Sequence, residues 1–438
     1  MSLSLGATPA LVVSSSDMAR EVFEAHDLAF SGRPPLYAAR KLSYGFLDVA
    51  FAPYGEHWRQ ARKTCVLELL SLKRVRSFRA VREGAVASLV ATIERQSATT
   101  TINLSRLVHS LGSSVMRRVV FGDEREGRGR RGGELRDVLE ETQKLLGGFC
   151  VADFFPWLGW CNWVTGLERR LRKNFEELDG IYSRVIDEHL NDMSAAAASG
   201  RPPAYDEDLV HVLLRLQKDH THGSTFSSMD HIKALLTDMF IAGTDTSSAA
   251  IIWTMTELVR NPTVMNKAQQ EIRTVVGDKP KVEESELELL DYLKLVVKEA
   301  LRLHPPAPLL VPRETTGACS VGGYDVPAKT RVFINAAAIA TDPTNWEKPT
   351  EFRPERFLGS GIDFRGHNFE LIPFGFGRRS CPGMNFAVVE VELTLANLLH
   401  CFDWELPIGM AVKDLDLDEA FGLTVHKKND LCLLAKSR

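Results

Sequence analysis

The chain has 438 residues, 44% hydrophobic and 25% charged, with 53 Lys and Arg against 57 Asp and Glu for a net charge of −4. That balance supports a large globular core and excludes a disordered tail, a collagen-like or coiled-coil rod and a strongly basic nucleic-acid binder, so no nucleic-acid partner is expected. The 7 cysteines, at positions 65, 150, 161, 319, 381, 401 and 432, are odd in number and lack tight Cys or His pairing, which excludes a disulfide framework or a zinc ribbon.

Met1 to Asp17 holds no basic stretch followed by a long apolar run, and nowhere do about 18 apolar residues run together. Neither a signal peptide nor a membrane-spanning helix is therefore expected. Ala10-Leu11-Val12-Val13 reads as a strand, and Ser14-Ser15-Ser16-Asp17 offers N-caps to a helix ending near His26. Residues 31–54, rich in Gly, Pro, Tyr and Phe without one period, read as loop. Helical patterning then dominates from Glu56 to about residue 315. Two linker-like stretches interrupt it, 123–133 (DEREGRGRRGG) and 194–208 (SAAAASGRPPAYDED). Between them Phe149, Phe154, Phe155, Trp157, Trp160 and Trp163 form an aromatic cluster, either a core corner or a surface touching lipid.

The longest helix should start at Ser227 or Ser228, stop before Pro262 and span roughly 45–50 Å. Its middle, Phe240-Ile241-Ala242-Gly243-Thr244-Asp245-Thr246-Ser247, turns abruptly from apolar to small and polar. After Pro305, strand-like runs at Leu309–Val311 and Arg331–Ile334 alternate with proline-containing segments. A helix over about Met384–Leu399 follows, and Leu423–Val425 with Leu431–Leu434 reads as a hairpin. No internal repeat is visible, which disfavours a solenoid or propeller. The fold class is mainly α with a small β part.

Four constellations carry chemistry. In Phe374-Gly375-Phe376-Gly377-Arg378-Arg379-Ser380-Cys381-Pro382-Gly383, three glycines permit unusual backbone angles and close approach of a planar group. Pro382 can start the following helix, which would put Cys381 at its positive end, where a metal-binding thiolate is stabilised. In the long helix, an acid and an alcohol at Asp245 and Thr246 are costly among apolar residues unless they have a task. The alternative is that Thr244 or Thr246 caps a second, shorter helix. Thr246 can bond back to the Ala242 carbonyl or turn toward a ligand. Glu299 and Arg302 share a helix face, as do Trp58 and Arg62; alone, each pair reads as surface.

The frame F-x-x-G-x-R-x-C-x-G over Phe374–Gly383 resembles the haem-thiolate signature of the cytochrome P450 superfamily. Its fixed positions would coincide by chance on the order of once in 10⁴ chains of this length. Residues 242–247 are similar to the family's [AG]-G-x-[DE]-T-[ST] motif, and Phe352-Arg353-Pro354-Glu355-Arg356-Phe357 to its P-E-R-F segment. The resemblance covers the whole chain and implies one domain over 1–438, mainly α with a small β subdomain, enclosing haem b (iron protoporphyrin IX). It implies Cys381 as the iron ligand, with Phe374, Arg379 and Gly383 in the cofactor loop. Trp58, Arg62 and Arg313 are implied as partners of the haem propionates, Asp245 and Thr246 as the residues that pass protons to dioxygen. Glu299, Arg302 and Arg356 are implied as a buried triad locking the Cys loop.

Phe30-Ser31-Gly32-Arg33-Pro34, Lys298 to Pro306 (KEALRLHPP) and Phe402-Asp403-Trp404 resemble the plant microsomal A-type branch. That resemblance implies monooxygenation of a small hydrophobic plant metabolite, using O₂ and electrons from an NADPH-cytochrome reductase that docks at a face including Arg59, Arg62 and Lys63. The pocket would be lined by Lys41 to Ala52, Phe240 to Ala242, Ala307 to Val311 and Ala420 to Leu423. Two other activities remain open: rearrangement or dehydration without O₂, and a catalytically silent haem protein. Members of the branch begin with a membrane anchor, a basic patch and a Pro-rich hinge. This sequence contains none of these, so Met1 is expected where the first sheet strand begins. The branch sits on the cytosolic face of the endoplasmic reticulum, with the aromatic cluster as a peripheral membrane contact; a form without the anchor is expected in the cytosol.

Overall fold

The computed structural model describes residues 1–97, 101–122, 131–199, 207–218 and 228–438. Residues 123–130 and 200–206 of the two linker-like stretches, and Ser227, lie outside the described residues. Residues 131–133 open the helix Arg131–Gly147, and residues 194–199 close the helix Leu167–Ser199.

The long helix, Met229–Arg260, begins after Ser228 and is the axis of the molecule. It packs on Leu104–Phe121, Met384–Cys401 and Asp291–Leu303. Every residue from Ser247 to Val259 is buried, as expected of a helix covered on all sides. Three of its interior hydroxyls are satisfied locally: Ser248, Thr254 and Thr256 donate to the carbonyls of Thr244, Ala250 and Ile252 at 2.8, 2.6 and 2.8 Å. Close crossing with Leu104–Phe121 depends on glycine, because a Cβ on Gly243 would stand 2.5 Å from the Met116 sulfur.

The β part is small. One sheet has the strand order Ser2–Leu5, Thr8–Val13, Arg331–Ile334, Arg313–Glu314, with Thr8–Val13 and Arg331–Ile334 parallel. The first predicted helix forms as Ser16–Arg20 and widens into a π-helical turn over Glu21–Ala25.

Four expectations need correction. Residues 31–54 are not all loop, because Tyr37–Leu42 is helical and buries Ala38, Ala39 and Leu42. The helical region ends at Leu303, with a short strand at Arg313–Glu314 inside the stretch read as helical. Leu309–Val311 is not a strand; Leu310 takes φ +51 in a turn. The C-terminal hairpin does not form. Cys432–Ser437 pairs with Phe402–Glu405 and Ile102–Asn103, which lets Leu433 and Ala435 join Phe402 and Trp404 in the core. His426–Lys427 pairs instead with Glu419–Ala420. The core-corner reading of the aromatic cluster fails for its tryptophans: Trp157, Trp160 and Trp163 are each more than 60% exposed. Among the described residues no helix is long and apolar enough to cross a membrane.

Candidate active site

A cavity of about 290 Å³ lies between the long helix and the Cys loop. Ala242, Gly243, Thr246 and Ala250 form one wall; Phe374, Gly375 and Ser380 to Gly383 form the opposite one. The Cys loop is held by its own backbone, with the Cys381 N–H donating to the Phe374 carbonyl at 2.9 Å. Gly377 has φ +69, and a Cβ there would fall 2.4 Å from an Asp27 carboxylate oxygen, so only glycine fits. The following helix starts at Met384, as its pattern suggested, and Pro382 does not open it, since Pro382 and Gly383 are spent on the turn. Gly383 takes an ordinary φ of −91. Cys381 is open to the cavity and enclosed by protein on its other sides. Burial pushes its thiol up, opposed by the backbone N–H groups of Gly383 and Met384 and by the Arg62 charge.

One end of the cavity is cationic. Arg33, Arg62, Arg313 and Arg379 all line it. Their hydrogen bonds go mostly to backbone carbonyls: Arg33 to Ala50, Val311 and Pro312, Arg62 to Ser380, Arg313 to Phe30 and Phe376, Arg379 to Ser31, Val49 and Ala52. Burial lowers the proton affinity of all four, and mutual repulsion adds to it at Arg33, Arg313 and Arg379, taking Arg313 to about 10 and Arg379 to about 9. Guanidinium groups crowded this way are short of anions. Trp58 does not line the cavity. Its ring carries the Arg379 guanidinium at 4.1 Å, and its indole N–H donates to the Val49 carbonyl at 3.1 Å.

On the long helix only one of the predicted pair faces the cavity. Thr246 lines it and donates to the Ala242 carbonyl at 2.6 Å. Asp245 turns aside to His426, whose Nε2 is 2.8 Å from its carboxylate, and His109 lies against His426 with ring centroids 5.2 Å apart. Two turns upstream, Asp238 also lines the cavity and accepts from the Val49 and Ala50 N–H groups at 2.6 and 3.4 Å. Burial holds the Asp238 carboxyl well above the usual range. Sequence reasoning missed three groups here. Arg33 stood in the Phe30–Pro34 motif without a role assigned to it, Asp238 carried only the signal of a lone charge in an apolar stretch, and His426 carried none.

An apolar slot with a thiol on one wall, a small-residue helix on the other and a guanidinium end suits haem b: a flat hydrocarbon body, an iron that accepts sulfur, and two carboxylates. The family profile of cytochrome P450 matches residues 1–433. The chain belongs to the cytochrome P450 family.

Among plant relatives, cytochrome P450 71A9 of Glycine max is 54% identical over 99% of this chain and 86% of that protein. Strychnine-11-hydroxylase of Strychnos nux-vomica is 52% identical over 99% and 84%, and premnaspirodiene oxygenase of Hyoscyamus muticus 45% over 99% and 85%. A zebra fish cytochrome P450 structure with abiraterone superposes with a TM-score of 0.83 at 25% identity, covering 100% of this chain and 95% of that one. This P450 is thus a haem-binding monooxygenase of the plant A-type branch, acting with dioxygen, a redox partner and a small molecule.

The expected pocket segments separate in this P450. Val49, Ala50, Ala242, Ala307, Leu310 and Val311 line the cavity, whereas Phe240 packs on Phe121 at 4.8 Å and Phe421 is exposed. Arg62, expected on a docking face, is turned into the cavity; Arg59 and Lys63 remain outside. Glu299 takes a two-pronged bond from Arg302 at 2.8 and 2.8 Å and a third from Arg356 at 2.9 Å. Arg302 and Arg356 then bind carbonyls of Ala340, Glu347, Lys348, Pro349 and Glu351. The triad therefore ties helix Asp291–Leu303 to the segment before the Cys loop, not to the loop itself.

Glu390, on the helix after Cys381, is buried with neither carboxylate oxygen in a well-formed hydrogen bond. Burial pushes it up to about 7, against weaker opposition from the Ser247 hydroxyl and the Arg82 charge. Because the folded value is raised, the native state is favoured below the ordinary carboxyl range and loses that advantage as pH rises through about 7. Glu390→Gln should leave stability near pH 4.5 little changed and raise it at pH 8 by on the order of 3 kcal/mol. Urea midpoints across this range check it; parallel curves for the two proteins would refute it.

Proposed function

We propose that this P450 inserts one atom of O₂ into a small hydrophobic molecule of plant specialised metabolism, with electrons from NADPH through a flavoprotein reductase. The balance is substrate C–H plus O₂, two electrons and two protons, giving C–OH and water. The observation that carries the reading is that Cys381 and Thr246 line one apolar cavity from opposite walls. In this reading Cys381 is the iron ligand, and Phe374 and Gly383 keep its loop open toward the cavity. Arg62, Arg313 and Arg379, joined by Arg33, hold the two carboxylates, with Trp58 stacked beneath Arg379 to position it. When bound, the haem supplies the redox chemistry that activates O₂.

The chain's own residues then manage protons and substrate. Thr246 presents its hydroxyl to the cavity, and Asp245, held by His426, supplies the proton source behind it. The apolar walls select a hydrophobic substrate and keep bulk water out. Arg59 and Lys63, on the outer face of helix Glu56–Thr64, suit an acidic reductase surface. The exposed Trp157, Trp160 and Trp163 suit peripheral contact with the cytosolic face of the endoplasmic reticulum membrane. Residues 1–438 act as a single domain.

A substrate panel read by the low-to-high-spin shift of the haem, followed by turnover with NADPH and reductase, tests the proposal. Turnover of a binding compound without NADPH would instead support rearrangement or dehydration. Thr246→Ala should lower the share of consumed NADPH that appears as product by about tenfold, and His426→Phe by roughly threefold, while NADPH oxidation continues. Unchanged coupling in both variants would remove these residues from proton delivery.

A further inference from the structure

Away from the cavity, the Asp208 carboxylate lies between two imidazoles from different helices. His189 belongs to Leu167–Ser199; His211 lies in the first turn of Leu209–Lys218, whose N-terminus Asp208 caps by accepting the His211 backbone N–H at 2.9 Å. His189 Nε2 is 3.0 Å from one carboxylate oxygen and His211 Nδ1 is 2.9 Å from the other. The ring centroids are 4.5 Å apart, and one donor atom from each of the three residues falls within 4.8 Å of the others. His189 and Asp208 are buried, with side chains 3% and 4% exposed, while His211 forms the edge at 11%. The carboxylate is confined from behind: a Cβ on Gly122 would stand 2.6 Å from its Oδ2.

The His189 ring carries the argument. Its Nδ1 is 2.7 Å from the Val185 carbonyl, which can only accept, so the ring hydrogen sits on Nδ1. In the neutral ring Nε2 then directs a lone pair at the Asp208 oxygen 3.0 Å away. Two lone pairs facing each other in a buried place repel, so a positive charge belongs between them, either a second proton or a metal ion. A carbonyl on the far nitrogen of an imidazole is the contact that orients metal-binding histidines. Tetrahedral zinc, with bonds of about 2.0–2.2 Å to His nitrogen and carboxylate oxygen, sets neighbouring donors roughly 3.3 Å apart. Each imidazole nitrogen stands within a few tenths of an ångström of that spacing from its own carboxylate oxygen, and one donor atom from each residue lies within 4.8 Å of the others, so a small turn of the carboxylate would bring all three onto one ion. Two imidazoles and one carboxylate suit zinc far better than calcium or magnesium, which prefer oxygen alone.

We propose that His189, Asp208 and His211 form a structural site for one zinc-class divalent ion, completed by water at the His211 edge. The ion fastens Leu167–Ser199 to Leu209–Lys218. Leu209, next to Asp208, lines the cavity, so the ion also steadies one cavity wall. The proposal does not depend on the reading of the haem site.

The test uses the haem-loaded protein, stripped of labile metal with a chelator and then offered Zn²⁺ or Co²⁺. Elemental analysis after removal of excess should find about one equivalent of zinc per chain, and cobalt should give the visible bands of a tetrahedral nitrogen and oxygen site without thiolate charge transfer. His211→Gln, at the exposed edge, should fold and bind zinc at least about tenfold more weakly. Zinc should raise the melting temperature of the wild type and not that of the variant. Less than a tenth of an equivalent bound, equal binding by His211→Gln, or cobalt bands with thiolate character would each overturn the proposal. So would a melting temperature indifferent to zinc that falls as pH rises through the imidazole range, since a proton would then occupy the place of the ion.

Discussion

Cys381→Ser is expected to abolish the thiolate-type band in the reduced carbon monoxide difference spectrum and to lower turnover by at least about 10³-fold, through loss of the electron push that favours O–O cleavage. The expectation rests on position. Cys150 is buried away from the cavity, and Cys65, which also lines it, is fully buried with its thiol pushed up by burial and by Asp238, whereas Cys381 is exposed to the cavity that Thr246 also lines. The N–H groups of Gly383 and Met384 and the charge of Arg62 favour negative sulfur there, against the burial that favours the thiol. Ligation by iron, as proposed, would settle that contest in favour of thiolate. Serine keeps the size and the loop, so the folded protein should still be recovered. A thiolate-type band of full strength in Cys381→Ser would assign the iron to another residue.

Arg302→Ala should cost about 3–5 kcal/mol and leave little folded, haem-loaded protein. Glu299 and Arg302 are both fully buried, and Glu299 also accepts the backbone N–H of Arg353 at 2.8 Å. Removing the guanidinium leaves that carboxylate in the interior with only the bonds from Arg356 and the Arg353 N–H, half of its four. It also frees the carbonyls of Ala340 and Pro349, whereas Glu351 keeps its bond from Arg356. Arg356→Ala should cost less, since its guanidinium reaches the surface and Arg302 still answers Glu299. Denaturant midpoints of the two variants, read alongside haem content, check the order. An Arg302→Ala protein within about 1 kcal/mol of wild type would show the triad to be dispensable.

The parts of this P450 that could be read in advance are those whose function is written in consecutive residues. The Cys loop is one turn of backbone from Phe374 to Gly383, and its N–H groups, glycines and thiol work together because they are covalent neighbours. The long helix was legible for a similar reason: caps, stop and polar interruption lie along one segment. The E-x-x-R pair was visible as a helix face, but nothing local said that it would be buried with Arg356.

Strands and charge partners were less legible. The chain end looks like a hairpin because two apolar runs stand close in sequence. Only the second found a strand partner, and that far away, with Leu433 and Ala435 buried beside Phe402 and Trp404, while Leu423–Val425 forms no strand. Leu309–Val311 has strand composition, yet it turns to carry Leu310 and Val311 into the cavity wall. Pro312 then hands the sheet position to Arg313.

By itself, then, the sequence determined the family, the Cys loop, the helical axis and the mainly α class, because each depends on short-range order that side chains impose on nearby backbone. Only the tertiary structure decided which charges meet. It turned Arg62 inward, added Arg33 to the cationic end, set Asp238 against Val49 and Ala50, and joined Asp245 to His426 across 181 residues. The physical reason is that a charge in a low-dielectric interior is tolerated only beside its compensation, and packing alone determines what stands beside it.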